Sequence, residues 1–206
     1  MNEVNEKLLE VALQLFIKNG YSDVSTRDIA QAAGVSKGAF YHYFASKDEC
    51  FNACFHSMMD RMTFMNFSGF PTDSLRSFLD AHFTELRERM DDFFGGGFDA
   101  MYGIFTFCHE ALKRVPDFSA IVARQRETEL TVWTEVITNA LASGEIASSL
   151  EPLEIARLFI CASDGLGINN SLLNTSSDAL HPNAKTLWDN LYTQFKADQP
   201  VRRHIF

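Results

Sequence analysis

Between Thr26 and Lys47 the chain reads TRDIAQAAGVSKGAFYHYFASK, an order of residues that few backbones accommodate. Ile29, Ala32 and Ala33 recur three to four apart, so Thr26–Ala33 is predicted as a short helix with those residues on one face. Gly34 reaches a positive φ without a Cβ clash and ends that helix, and Val35 plugs the turn. Ser36 supplies the oxygen that the free N–H groups of a second helix require. In that second helix Phe40 and Phe44, four apart, face inward. Its other face carries Lys37, Gly38, Ala39, Tyr41 and His42, which are small or donor-bearing, with no acid among them. Two short helices around a tight turn, the second with a slim and polar front, form a helix-turn-helix whose leading end fits a DNA major groove.

Charge favours that reading over two amphipathic helices that happen to share a glycine turn. The chain as a whole is at −9, yet residues 25–47 hold Arg27, Lys37 and Lys47 against Asp28 alone. A positive island on an acidic protein suits contact with phosphates at one place and repulsion everywhere else.

Beyond single residues, Leu15–Phe16, Thr26, Arg27, Ile29, Ala30, Ala33, Gly34, Val35, Phe40, Tyr41, Tyr43, Phe44 and Lys47 fall together as in a known signature. With ALQLFIKNGY upstream and SKDE downstream, the first 55 or so residues resemble the tetracycline-repressor (TetR) family. The resemblance implies a ligand-responsive transcriptional regulator, a repressor rather than an activator, acting as a homodimer on a palindromic operator. It puts Thr26, Arg27, Lys37, Tyr41 and Lys47 on family contact positions. The remaining three-quarters of the chain resembles the family only in being helical and of suitable length, and implies no particular effector.

Composition sets the outer limits. Hydrophobic residues make up 46% and charged residues 22% of 206, enough for a folded core. Nineteen phenylalanines and seven methionines suit both a core and an adaptable apolar pocket. Cys50, Cys54, Cys108 and Cys161 lack the spacing of a disulfide framework, no signal peptide opens the chain, and no apolar run reaches the ~20 residues of a membrane span. A reducing, cytoplasmic setting is expected.

Helical periodicity recurs along the whole chain, and no alternating strand pattern appears. A first helix is predicted over Val4–Lys18, striped by Val4, Leu8, Val11, Ala12, Leu15 and Phe16 and stopped at Asn19-Gly20. Val24 is placed as a hydrophobic staple, and Ser46–Glu49 as a capping box for a long helix carrying Phe51, Phe55, Met58, Met62 and Met65. Further helices are expected from about Asp73 to Met90, with Leu75, Phe78, Leu79, His82, Phe83 and Leu86 as its apolar stripe; after Phe98, striped by Phe98, Met101, Tyr102, Phe105, His109 and Leu112 and ended by Val115-Pro116; from Asp117 to Ala142; from Pro152; and over about Pro182–Lys196. Gly95-Gly96-Gly97 reads as a hinge, since no strand precedes it and no Gly-Lys-Ser/Thr follows. In the helix after Pro152, Ala162, Gly165 and Gly167 clear the way for another helix, from the same chain or a second copy. The expected fold is all-α: an N-terminal three-helix domain over residues 1–47, and a larger helical ligand-binding and dimerisation domain over 48–206.

Candidate sites follow. For DNA, phosphate anchors are Thr26, Tyr41, Tyr43 and Lys47, and groove-facing residues are Arg27, Lys37, Gly38, Ala39 and His42, with Ser36 capping the helix that carries them. One such head gives a small footprint, so a symmetric dimer is expected, formed through residues 120–142 and 152–173 as a four-helix bundle. For an apolar or aromatic effector, Phe64, Phe67, Phe83, Met101, Tyr102, Phe105 and Trp133 are candidate pocket walls, with His109 and Glu129 as polar groups. Each serves equally well as plain core. No cofactor or metal is expected: Cys50 and Cys54 lack a second metal-spaced pair, and Lys113 stands where a zinc-protease motif beginning at His109-Glu110 needs its second histidine. No catalytic constellation is visible, so an enzyme, like a protein-binding module, stays a rival class that salt-dependent duplex binding separates.

Overall fold

The computed structural model describes residues 3–62, 67, 69–94, 99–173 and 177–197. Among them run nine helices: α1 Glu3–Asp23, α2 Thr26–Ala33, α3 Lys37–Tyr43, α4 Lys47–Met62, α5 Leu75–Phe94, α6 Asp99–Arg114, α7 Phe118–Ser143, α8 Pro152–Leu172 and α9 Ser177–Phe195. The described residues contain no strand, only an isolated antiparallel bridge between Ile146 and Lys196, so the fold is all-α as the periodicity required. The chain divides into two compact units, one of Met1–Met65 with Gly97–Gln125, the other of Asn66–Gly96 with Arg126–Phe206.

In the first unit α1 is the central element, with α2, α4 and α6 packed against it. Its buried face is Leu8, Leu9, Ala12, Leu13, Phe16 and Ile17; Val4, Val11 and Leu15, placed in the stripe by spacing, are half-buried at its margin. The predicted stop at Gly20 is a break, with φ 78° and ψ 161°, after which the chain coils once more to Asp23. Buried Phe51, Phe55 and Met58 carry α4 inward; Met62 and Met65 lie outside the described side chains. Two outward residues correct the expected stripe of α6: Leu112 is 54% exposed, and Phe105 also lies at the surface. Phe107 and Ala111 turn inward instead, with the Phe107 ring 4.6 Å from that of Phe51. Gly103 lies so close to α1 that a Cβ there would sit 2.3 Å from the Ile17 carbonyl oxygen.

The second unit is built on α5, the body of α7, α8 and α9. Leu75, Phe78, Leu79, Trp133, Val136, Ile137, Ile155, Phe159 and Trp188 form its core. Glu145, just after α7, satisfies the free N–H groups at the start of α5: its carboxylate accepts from Leu75 N at 2.8 Å and Arg76 N at 2.8 Å, and also from Ser74 Oγ and Tyr192 Oη. The helix expected from Pro182 begins earlier, at Ser177.

Candidate nucleic-acid interface

Local chemistry explains why α2 and α3 form where they do. Ser25 Oγ accepts from Asp28 N, and the Asp28 carboxylate accepts from Ser25 N at 2.9 Å, a reciprocal pair that starts α2. These bonds to Ser25 hold the Asp28 carboxyl below its usual pKa. Gly34 ends α2 at φ 72°, with its N–H turned back to the carbonyls of Ala30 and Gln31. Ser36 Oγ then accepts from Ala39 N at 3.1 Å and opens α3. The inward residues of α2 are Ile29, Ala30 and Ala33; Ala32, expected inside, is exposed. Phe40 is fully buried, Phe44 nearly so, and their rings lie 5.6 Å apart.

With Phe40 inside, the α3 period sends its neighbours out. Lys37, Gly38 and His42 are exposed, Tyr41 is 47% exposed, and Ala39 and Tyr43 are half-buried. Tyr41 Oη lies 3.3 Å from Thr26 Oγ1, which joins the start of α2 to the outward face of α3. Lys37 Nζ stands 5.7 Å from the Tyr41 ring centroid. Arg27 is exposed beside Thr26, and Ser36 is exposed at the cap. The donors gathered here can address phosphate oxygens and base edges at the same time.

Lys47 is held more tightly than its spacing foretold. Its Nζ donates to the carbonyls of Tyr21 at 2.9 Å and Val24 at 2.8 Å, and lies 4.0 Å from the Tyr21 ring centroid. One ammonium proton is left for an outside acceptor. Tyr21 was not singled out from the sequence, although it directly follows the Asn19-Gly20 stop. Its ring lies between Lys47 and the Arg114 guanidinium of α6, 3.7 Å away, and its hydroxyl donates to Asp48 at 2.6 Å. Burial and then the Asp48 carboxylate push the phenol pKa up to about 12. Glu49 Oε2 accepts from Ala45 N and Ser46 Oγ from Glu49 N, so the box before α4 closes one residue earlier than drawn from sequence.

The candidate effector residues separate by unit. Phe67, Phe83 and Trp133 belong to the second: Phe67 stacks on Phe78 and His82, and Trp133, 1% exposed, meets Phe78, His82 and Phe159. Glu129, half-buried on α7, is 2.8 Å from Arg126, which also reaches Asp164 at 2.7 Å. Burial raises its pKa against the pull of Arg126. Phe105 and His109 are exposed on α6 in the first unit. Phe64 and the side chains of Met101 and Tyr102 lie outside the described residues. His82, which spacing placed merely among core positions of α5, stands instead at the centre of the second unit's rings.

Cys50 and Cys54 are buried, with Cys54 Sγ 3.6 Å from the Leu9 carbonyl, and His56 faces Asp117 at 3.3 Å. Among the described residues no group of three His, Cys, Asp or Glu is arranged to hold a metal, and no helix is long and apolar enough to cross a membrane.

Residues 8–54, spanning α1 to the first turns of α4, match the family described as bacterial regulatory proteins, tetR family. Over more of its length the chain is similar to the HTH-type transcriptional repressor KstR2 of Mycobacterium tuberculosis, at 27% identity over 73% of each chain. It is also similar to the transcriptional regulator AcuR of Cereibacter sphaeroides, at 26% identity over 92% of this chain and 86% of the relative. Among solved structures, a TetR transcription regulator from Haloarcula marismortui shares the fold with a TM-score of 0.74 at 15% identity, over 95% of this chain and all of the other. Residues 8–54 thus carry a helix-turn-helix of the tetR family, the DNA-binding kind, and over more of its length the chain is similar to transcriptional regulators.

Proposed function

We propose that the protein is a repressor that binds a palindromic operator as a homodimer and leaves it when a small apolar or aromatic effector occupies its larger helical domain. In this reading residues 1–47 read DNA, and residues 48–206 bind the effector and the second copy. The observation that supports it most is the outward face of α3, where Lys37, Gly38, Tyr41 and His42 stand free of the core above buried Phe40. Thr26, Tyr41, Tyr43 and the remaining proton of Lys47 address phosphates; Arg27 and Lys37 address base edges, with Gly38, Ala39 and His42 at the groove. Ser36 holds the helix that presents them. Being a DNA-bound regulator, the protein works in the cytoplasm.

The direct test is anisotropy with labelled duplexes tiled across the region upstream of its own gene, repeated over a salt series. Lys37→Ala is expected to weaken binding to the operator by about 2 kcal/mol and to lower discrimination against changed bases. Tyr41→Phe, which removes the hydroxyl next to Thr26, is expected to weaken all sequences by a similar, smaller factor. Parent-like binding by both variants would overturn the choice of reading face.

For the dimer, α8 supplies the supporting surface. Leu158, Cys161, Gly165, Ile168 and Leu172 recur at three- and four-residue steps and are all exposed, Leu172 by 67%. Among the described residues nothing of the same chain lies within 4 Å of a Cβ built on Gly165, so the small residue there is not explained by a neighbour in its own protomer. On α7 the exposed Glu127, Thr131, Glu135 and Thr138 are polar and suit the margin of such an interface. Replacing Leu158 and Ile168 together by glutamate is expected to leave helical content unchanged and to convert a dimer to a monomer in sedimentation. Operator affinity should fall by about a hundredfold as the second head is lost. A double variant that still sediments as a dimer would move the interface elsewhere.

A further inference from the structure

Among the described residues no carboxylate pairs with Lys47. Its hydrogen bonds go to neutral carbonyls, those of Tyr21 at 2.9 Å and Val24 at 2.8 Å. The acids that follow it in sequence are engaged elsewhere. Asp48 accepts from the Tyr21 hydroxyl at 2.6 Å and from Arg114 at 3.3 Å, and Glu49 accepts from Ala45 N at 2.6 Å. A further neighbour of Lys47 is the Tyr21 ring, whose centroid lies 4.0 Å from Nζ. An aromatic face attracts a cation through its quadrupole without cancelling the charge. That ring is itself well held. It meets Phe16 at 5.8 Å and Phe51 at 5.1 Å, and the Arg114 guanidinium lies 3.7 Å from its centroid.

We propose that Tyr21 is a positioning residue for operator binding: its ring fixes the Lys47 ammonium and its hydroxyl engages Asp48, so that Lys47 meets a DNA phosphate with its charge intact. The proposal rests on the reading of Lys47 as a phosphate anchor. A lysine ammonium rides on a flexible stem and loses rotamer freedom when DNA fixes it. Here that loss is taken on folding, because carbonyls and a ring hold Nζ before DNA arrives. Charge is conserved as well. A carboxylate on Lys47 would have to be displaced by the phosphate, whereas carbonyls and a ring face leave the cation to be shared with it. The Tyr21 phenol, with its pKa pushed up to about 12, stays protonated at neutral pH and remains a donor to Asp48. The ring comes from the end of α1, the ammonium and Asp48 from the start of α4, and the guanidinium from the end of α6, all within the first unit.

The test is anisotropy over a salt series, with the full-length protein and the labelled duplex from upstream of its own gene that the parent binds most tightly. Lys47→Ala is expected to bind about tenfold more weakly and to lower the slope of log affinity against log salt by about one for each head on the DNA. Tyr21→Leu should lose about fivefold. In the Lys47→Ala background the same change should cost less than about twofold, because a residue that acts through Lys47 then has nothing to position. Tyr21→Phe keeps the ring and should restore most of the loss. Tyr21→pentafluorophenylalanine keeps the shape of the ring but reverses the charge of its face, so it should bind as weakly as Tyr21→Leu. A merely structural ring would not separate these two aromatic variants, and the pair decides the matter if Tyr21→Leu fails to fold. A Tyr21→Leu loss as large without Lys47 as with it, or a fluorinated ring that binds like phenylalanine, overturns the proposal and leaves Lys47 an anchor. An unchanged salt slope in Lys47→Ala removes the anchor itself, and the proposal with it.

Discussion

Gly103→Ala is expected to lower the stability of the protein by about 3 kcal/mol, at the upper end for an overpacked site, and its melting temperature by on the order of 10 °C. The added methyl would meet the Ile17 carbonyl oxygen at 2.3 Å and Ile17 Cγ2 at 2.6 Å. A side chain can swing away, but a backbone carbonyl of α1 cannot move without the helix, so α6 must separate from α1. Replacing Ile17 by alanine in the same chain removes the Cγ2 contact and leaves the carbonyl contact, so it should rescue little. The displaced α6 also carries Arg114, which braces Tyr21 against Lys47. Operator affinity should therefore fall at temperatures where the variant is still folded. Denaturant unfolding of parent, single and double variants checks the first part. A Gly103→Ala protein as stable as its parent would mean that α6 does not press on α1 as described.

Acid should destabilise the protein through His82. Burial lowers its pKa from the usual 6.5 to about 4. In the unfolded chain the imidazole takes up a proton as pH falls through 6.5, while the folded chain refuses it until about pH 4. The neutral ring's contribution is therefore complete above 6.5 and is lost progressively as pH drops towards 4. The difference amounts to about 3 kcal/mol at the acid end of that window. His82→Phe has nothing to protonate, so its stability should vary less over the same interval, and the parent-minus-variant difference isolates the histidine from the carboxylates that titrate nearby. Equal slopes for the two proteins between pH 6.5 and 4 would show that His82 is hydrated in the folded state.

The reading head was legible because its determinants are local. A cap, a left-handed glycine and two phenylalanines four apart fix α2 and α3 within a run of about twenty residues, and the face opposite Phe40 follows from helical period alone. Periodicity failed where a helix has neighbours on more than one side. Ala32 was placed inside and lies outside, and Phe105 and Leu112, placed in one stripe, face outward because α6 packs through a different arc, that of Gly103, Phe107 and Ala111. The role of Tyr21 could not be read locally, since the cations that flank its ring come from α4 and α6, far along the chain.

From the residues alone came the all-α fold, the helix-turn-helix and the face it presents, since each depends on groups within one or two helical turns. Only the tertiary structure could decide which of so many aromatic side chains surround a common centre, and that the centre holds a histidine and an indole whose nitrogens find no partner among the described residues. Whether a buried polar atom finds a partner depends on helices that meet from distant parts of the chain, and no local pattern records that meeting.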